Sequence, residues 1–473
     1  MFISKYLKTF EKSLTIANAS KLALPPLILA NYSTFTKSHI RFAKNYHLSL
    51  TFTIQRFQHE RLRAGQYSKE VQKIINEFGS DSLEMANFLE TKSLELDKEG
   101  KYEDALEMAL IAKNIYSDKK MSASEFGLLE VIIEVSIKLQ NYDQAILALK
   151  EYISLKELLH GEHNPTHSGL YYKLGSVYFH LLKFQEAYDC FKKAFDLIKE
   201  VGEREVERAS YLYYFIGLSA YNLGRFEEAK EDVVKALEHY EALDDQKAVY
   251  RCSHLLGLIC EELDDIDGAA LYFKRALLAG EEAFSSDSHE IAVLNYLIGK
   301  TEYRLDRIET AMKYTKKALD IFQKLKNKDP IDIGDTLYNL SLMYYKKKEI
   351  ELALKYLNET LDIYEVFKDK NDVKTALVYE NKGMALESLD RDHEAQEAFA
   401  KAIEICDAHK DTDNQQIARI YYNVARIYSE FWSEKIPDAK EYAQKALKIA
   451  SKDKNSPFYK EVLNFVEILK SQS

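Results

Sequence analysis

Three histidines, His160, His163 and His167, stand within the run HGEHNPTH, and imidazoles so close in sequence could hold a divalent metal. Their placement speaks against it, because the run reads as a helix end, a connector and the start of another helix, so a polar connector is the simpler account. The acids Glu261, Glu262, Asp264 and Asp265 offer paired carboxylates but read as a solvated turn, not an acid/base couple. No phosphate-binding glycine loop, dinucleotide fingerprint, HExxH or GxSxG run is present, and no enzyme and no cofactor is expected. A different chemistry recurs with regular spacing. Asn339, Asn381 and Asn423 follow one another at a step of 42 residues. A carboxamide carries both a donor and an acceptor, so a row of them can pair with the backbone of an extended peptide. Asparagine is a mediocre helix former, and repeating it at one helical position has a cost that packing alone does not obviously offset. The alternative is that these amides bond neighbouring helices of their own chain, since buried polar groups need partners in either case.

Tyrosines run beside them. Tyr172, Tyr214, Tyr296, Tyr338 and Tyr422 fall at equivalent positions, and Phe179, Tyr221, Tyr303 and Tyr345 form a second row seven residues further on. Large amphipathic rings with few rotors suit a binding surface, although any one of them could equally serve the core. Lys300, Arg304, Lys346 and Arg426 share the same expected face, which points to an extended peptide segment with acidic residues as the ligand.

The elements that must carry these rows follow from a repeat. A slot occupied by Ser93, Ile133, Gly175, Gly217, Gly257, Gly299, Ser341, Gly383 and Ala425 recurs at steps of 40 or 42 residues. Such regularity marks a repeat array. Twelve residues after the slot stands an alanine in each unit from Ala105 to Ala395, and the ninth has Ala439, displaced by two residues around Pro437. Four residues beyond lie Phe191, Val233, Phe273 and Phe399, among others, and three beyond those Ala194, Ala236, Ala276 and Ala402. Steps of four and three share one helix face. Two helices approach closely only where side chains are small, so each unit is an antiparallel helix pair. Gly100 and Gly224 read as the turns between helices, and Asn164, Asp329 and Ser456 each cap a helix that opens on proline.

These residues resemble the tetratricopeptide repeat (TPR). Tyr171, Leu174, Gly175, Tyr178, Phe184, Ala187, Phe191 and Ala194 match its pattern almost slot for slot, as do Tyr213, Ile216, Gly217, Gly224, Phe226, Ala229 and Ala236. The longer step and the connector His163-Asn164-Pro165-Thr166 resemble the variety found in kinesin light chains. The resemblance implies an all-α fold, a right-handed α-solenoid of about nine helix pairs over residues 84–450, with a C-terminal capping helix in 451–473. It departs at Ile133 and at the insertion in the ninth unit. It also implies that Asn339, Asn381 and Asn423 line a concave groove and hold a peptide backbone there.

The net charge of −11 conceals an asymmetry. Residues 1–59 carry eight cations against Glu11 alone, a balance of +7, which leaves −18 on the remainder. That segment holds 12 Ser or Thr and opens with Phe2, Tyr6, Leu7, Phe10 and Leu14 at helical spacing beside Lys5, Lys8 and Lys12. It reads as a mitochondrial transit peptide, with Arg41 or Arg63 preceding the cleavage point; the alternative is a basic arm that contacts a partner or nucleic acid. Residues 60–83 read as a linker and N-terminal capping helix. The apolar run Leu22 to Ala30 is far short of the ~20 residues a spanning helix needs, so no transmembrane segment is expected. Four cysteines at unrelated spacings fit neither a zinc motif nor a disulfide framework. An array at −18 without a basic stripe is not expected to bind nucleic acid. The function expected is a non-enzymatic adaptor, a mitochondrial assembly factor or accessory subunit of a larger complex such as a respiratory one. A cytoplasmic cargo adaptor like kinesin light chain and an RNA-binding helical-repeat protein are the alternatives.

Overall fold

The computed structural model describes residues 73, 76–119, 122–199, 206–368, 372–409 and 414–471. The expectations for residues 1–59 and for most of 60–75 lie outside them. Among the described residues every regular element is a helix, and none is long and apolar enough to cross a membrane.

The chain divides into two compact units between Ala148 and Leu149. In the first, α1 (Leu83–Lys98), α2 (Tyr102–Asp118) and α3 (Ser122–Lys138) pack in succession, and α4 (Tyr142–His160) begins. Ala105, Ala109 and Ala112 are wholly buried on the face of α2 that the sequence spacing marked. Ser93 at the slot is buried too, its hydroxyl turned back onto the carbonyl of Glu90 at 2.7 Å.

The second unit continues from the rest of α4 through a 3₁₀ turn, Pro165–His167, into α5 (Ser168–His180) and α6 (Phe184–Asp196). Then follow α7 (Val206–Asn222) with α8 (Phe226–Ala242), α9 (Gln246–Glu262) with α10 (Ile266–Ala283), α11 (His289–Arg304) with α12 (Ile308–Lys324), α13 (Pro330–Lys346) with α14 (Ile350–Phe367), α15 (Val373–Glu387) with α16 (Asp392–Ala408), and α17 (Gln415–Phe431) with α18 (Ile436–Ala450). The final helix, α19 (Pro457–Ser471), buries Val462, Val466 and Leu469 against α18.

The glycine slot has a steric cause. A Cβ at Gly175, Gly257 or Gly383 would lie 2.8, 2.4 or 2.6 Å from the ring of Phe191, Phe273 or Phe399, the residue 16 positions on. The ring of the second helix lies directly on the backbone of the first, which close packing permits only without a side chain. First helices open on side-chain caps: Asp245, Ser288, Asp329, Asp372 and Asn414 each accept from an amide two or three residues ahead, satisfying donors that the first turn leaves unpaired.

The turn within each pair is more uniform than its residues suggest. Seven positions after the slot the backbone is left-handed in eight units, at Gly100, Gln140, Leu182, Gly224, Asp264, Asp306, Lys348 and Asp390, with φ between 54° and 77°. The ninth unit differs: its insertion forms a 3₁₀ turn, Ser433–Lys435, and Pro437 stands in the first turn of α18. Trp432 fills that joint, its ring 5.4 Å from Tyr428 and 6.2 Å from Phe399.

Candidate functional site: the polar row of the first helices

Three residues before the slot, each first helix of the second unit presents one polar or amphipathic side chain: Tyr172, Tyr214, His254, Tyr296, Tyr338, Glu380 and Tyr422. Residue type picks out the five tyrosines; the offset also finds His254 and Glu380. Tyr214, Tyr296 and Tyr338 are half-buried, yet desolvation raises each phenol above its ordinary range. Burial also holds His254 down to about 4 and so neutral, with its ring 6.0 Å from that of Tyr250 in a stacked arrangement. The Glu380 carboxyl is pushed up to about 7 by burial, against the lowering effect of its hydrogen bond from Asn423. The row is thus a line of side chains hemmed in by protein, of which all but the buried Glu380 retain a partly open edge.

The asparagines, one residue further along, reach back by one unit. Asn381 Nδ2 donates to the Tyr338 hydroxyl at 3.0 Å and to the Leu377 carbonyl at 2.7 Å, and Asn423 Nδ2 donates to Glu380 at 2.7 Å. Asn339 is in the same register, its buried side-chain amide directed at the Tyr296 hydroxyl, whose pKa it lowers against the effect of burial. The asparagine amides are thus turned toward the array.

The remaining candidates sort by their surroundings. The Tyr172 hydroxyl donates to that of Tyr211 at 3.1 Å. Tyr221 lies 5.8 Å from Phe226, and the Tyr345 hydroxyl is 3.1 Å from Ser388 Oγ. Tyr422 is covered by α19: its hydroxyl donates to Glu461 at 2.9 Å and its ring meets Phe458 and Phe465 edge-on. The cations expected to receive an acidic ligand already have acids. Lys300 is 3.1 Å from Glu261; Arg304 is 2.8 Å from Asp264 and 3.9 Å from Glu261. Lys346 is 2.5 Å from Asp306 and lies over the Tyr303 ring, while Arg426 pairs with Glu430 of its own helix at 3.9 Å. The acids Glu261 and Asp264, read above as a solvated turn, hold cations one repeat further on. Of the three histidines, His160 and His167 have ring centroids 6.4 Å apart, and among the described residues no three metal-ligating side chains gather.

Tetratricopeptide-repeat models match residues 168–200, 214–288, 290–366 and 374–452, almost continuously from α5 to α18. The chain belongs to the tetratricopeptide-repeat family. Among solved structures it is similar to the apo form of RapI, with 17% identity, a TM-score of 0.55, and 78% of this chain and 99% of that one covered. It is also similar to the apo form of the quorum sensor NprR from B. thuringiensis (17% identity, TM-score 0.41, 68% of this chain and 97% of that one). A putative kinesin light chain from Podospora anserina has 12% identity and a TM-score of 0.36, with 42% of this chain and 95% of that one covered. No curated protein matches the chain. The fold and the repeat family are those of a protein–protein interaction scaffold.

Proposed function

We propose that the chain is a non-enzymatic adaptor that holds an extended segment of a partner protein along the polar row of its first helices. The observation that carries this is the row itself. Seven consecutive units of the second body each place a polar or amphipathic side chain at one offset; Tyr214, Tyr296, Tyr338 and Tyr422 pack one side against the core and keep a partly exposed edge. Half-buried tyrosines supply contact area at small entropic cost, and the half-buried carboxamides of Asn339, Asn381 and Asn423 stand beside them. An acidic ligand would have to displace Glu261, Asp264 and Asp306 from their cations.

Selection of nonapeptides from a fully randomised display library on the full chain tests the proposal. Enriched peptides should lose binding when Tyr303, which neighbours Tyr338 of the row, is replaced by serine and keep it when the exposed Leu278 of α10 is replaced. Failure of any peptide to enrich, or the reverse ranking of the two variants, would overturn it.

The place of action belongs to the same proposal: residues 1–59, basic and rich in hydroxyls, carry the chain into mitochondria, where it serves as an assembly factor or accessory subunit of a larger complex. A fluorescent fusion should co-localise with mitochondria and become cytosolic when residues 1–59 are deleted. A full-length fusion found only in the cytosol would refute the location.

A further inference from the structure

Four carboxylates of the second body are buried, Asp232, Glu302, Asp335 and Glu380, none more than 4% exposed. A charge so enclosed normally has a partner of opposite sign. Three of them do. Asp232 has Lys192 at 3.5 Å and Lys235 at 3.9 Å; Glu302 has Lys274 at 2.6 Å and Arg307 at 3.5 Å; Asp335 has Lys374 at 2.9 Å and also accepts from the Tyr364 hydroxyl.

Among the described residues Glu380 has no cation. Its one hydrogen bond comes from the neutral amide of Asn423 at 2.7 Å, and burial holds its carboxyl near 7 where a compensating cation would lower it. Helix packing gives no reason for a carboxylate here, since five of the six other units of this body fill the same position with tyrosine. Its neighbours in the row, Tyr338, Asn381 and Asn423, are only half-buried. The carboxylate therefore sits one side chain below an open edge. Further along the same helix, Glu387 is raised by burial and then by the charges of Asp392, Asp390 and Glu430, so this end of the row is rich in acid; Arg426 lies 3.9 Å from Glu430.

We infer that Glu380 is the anchor for a basic side chain, a lysine or arginine, of the bound segment. The inference rests on the reading of the row as a peptide site and reverses the ligand charge that the sequence suggested. The ammonium or guanidinium supplies the missing counter-charge, Asn423 orients the carboxylate to receive it, and Tyr338 flanks the stem of the incoming side chain. Specificity follows, because a ligand with a neutral residue at that point leaves the buried carboxylate unpaired.

The display selection above distinguishes the outcomes when repeated with E380Q, which keeps the shape and an oxygen for Asn423. Peptides enriched on the native chain should share one lysine or arginine, and E380Q should weaken them at least tenfold without lowering the melting temperature. Replacing that basic residue by norleucine or citrulline should cost the native chain the same factor and cost E380Q nothing further. Enriched peptides without a common basic residue, or equal affinity for E380Q, would overturn the anchor while leaving the peptide site standing. A lower melting temperature for E380Q would likewise overturn it, by showing that the carboxylate serves the array. Enrichment of no peptide at all would overturn the peptide site and the anchor together.

Discussion

Replacing Asn423 by alanine removes the single hydrogen-bond donor to Glu380, 2.7 Å away, and the cost should depend on pH in a defined direction. Burial raises the folded carboxyl from the ordinary glutamate value of 4.5 to about 7. Between those values the folded chain retains a proton that the unfolded chain has released, so stability is fullest below the unfolded value and declines as pH rises toward and through 7. A shift of that size corresponds to about 3 kcal/mol in all, given 1.36 kcal/mol per unit. A hydrogen bond to a charged group contributes about 1.5–3 kcal/mol and one to a neutral group about 0.5–1.5. Asn423→Ala should therefore cost about 1 kcal/mol more at pH 8.5, where Glu380 is ionised, than at pH 5, where it is protonated. A local probe is already in place: the one tryptophan of the chain, Trp432, packs on Phe399 and Tyr428 within the eighth and ninth units. Urea unfolding followed by its fluorescence reports these units without assuming that the whole array melts together. The same substitution in an E380Q background should show no pH-dependent part. An equal cost at both pH values, or a pH-dependent cost that survives in E380Q, would refute the coupling.

Three further outcomes follow from the packing. Gly257→Ala places a Cβ 2.4 Å from the Phe273 ring and should destabilise by about 1–3 kcal/mol through overpacking, which urea unfolding monitored by circular dichroism will show. Lys274→Met leaves the fully buried Glu302 with Arg307 alone at 3.5 Å, and the same assay should record a loss approaching about 3 kcal/mol. Leu182→Gly relieves a non-glycine left-handed residue at φ 58° and should gain about 0.5–1 kcal/mol, while Gly224→Ala at φ 75° should lose about as much; thermal denaturation ranks the pair.

The repeat and its packing were legible in the sequence because each slot has a steric cause that only a few residues satisfy. Gly175 and Phe191 are an example: the ring fits only where the backbone is bare. The turn was legible at Gly100 and Gly224 and hidden at Leu182, Lys348 and Gln140, where closure of the helix pair holds a residue that disfavours the left-handed region there anyway. The row was legible where it is tyrosine and hidden where it changes residue type, since His254 and Glu380 share an offset with the tyrosines and not a chemistry. The cations were seen, but their partners were not. Lys300 with Glu261, Arg304 with Asp264 and Lys346 with Asp306 pair residues 39 or 40 apart, a step that appears only when the repeat period is applied to charge as well as to apolar residues. Asn381 and Asn423 show the limit of residue-type reasoning, because a carboxamide that can bind a ligand can also bind the helix before it, and only geometry decides where its donor goes.

The central claim, that the polar row of the first helices holds a partner segment, is tested most directly by photo-crosslinking. The photoreactive residue p-benzoylphenylalanine is placed at Tyr303, in the second row of tyrosines on α11, or at Leu278, 67% exposed on α10, and each chain is irradiated with a display-selected peptide. The account predicts a covalent adduct from Tyr303 and none from Leu278. Adducts from Leu278 alone, or from both positions equally, would contradict it.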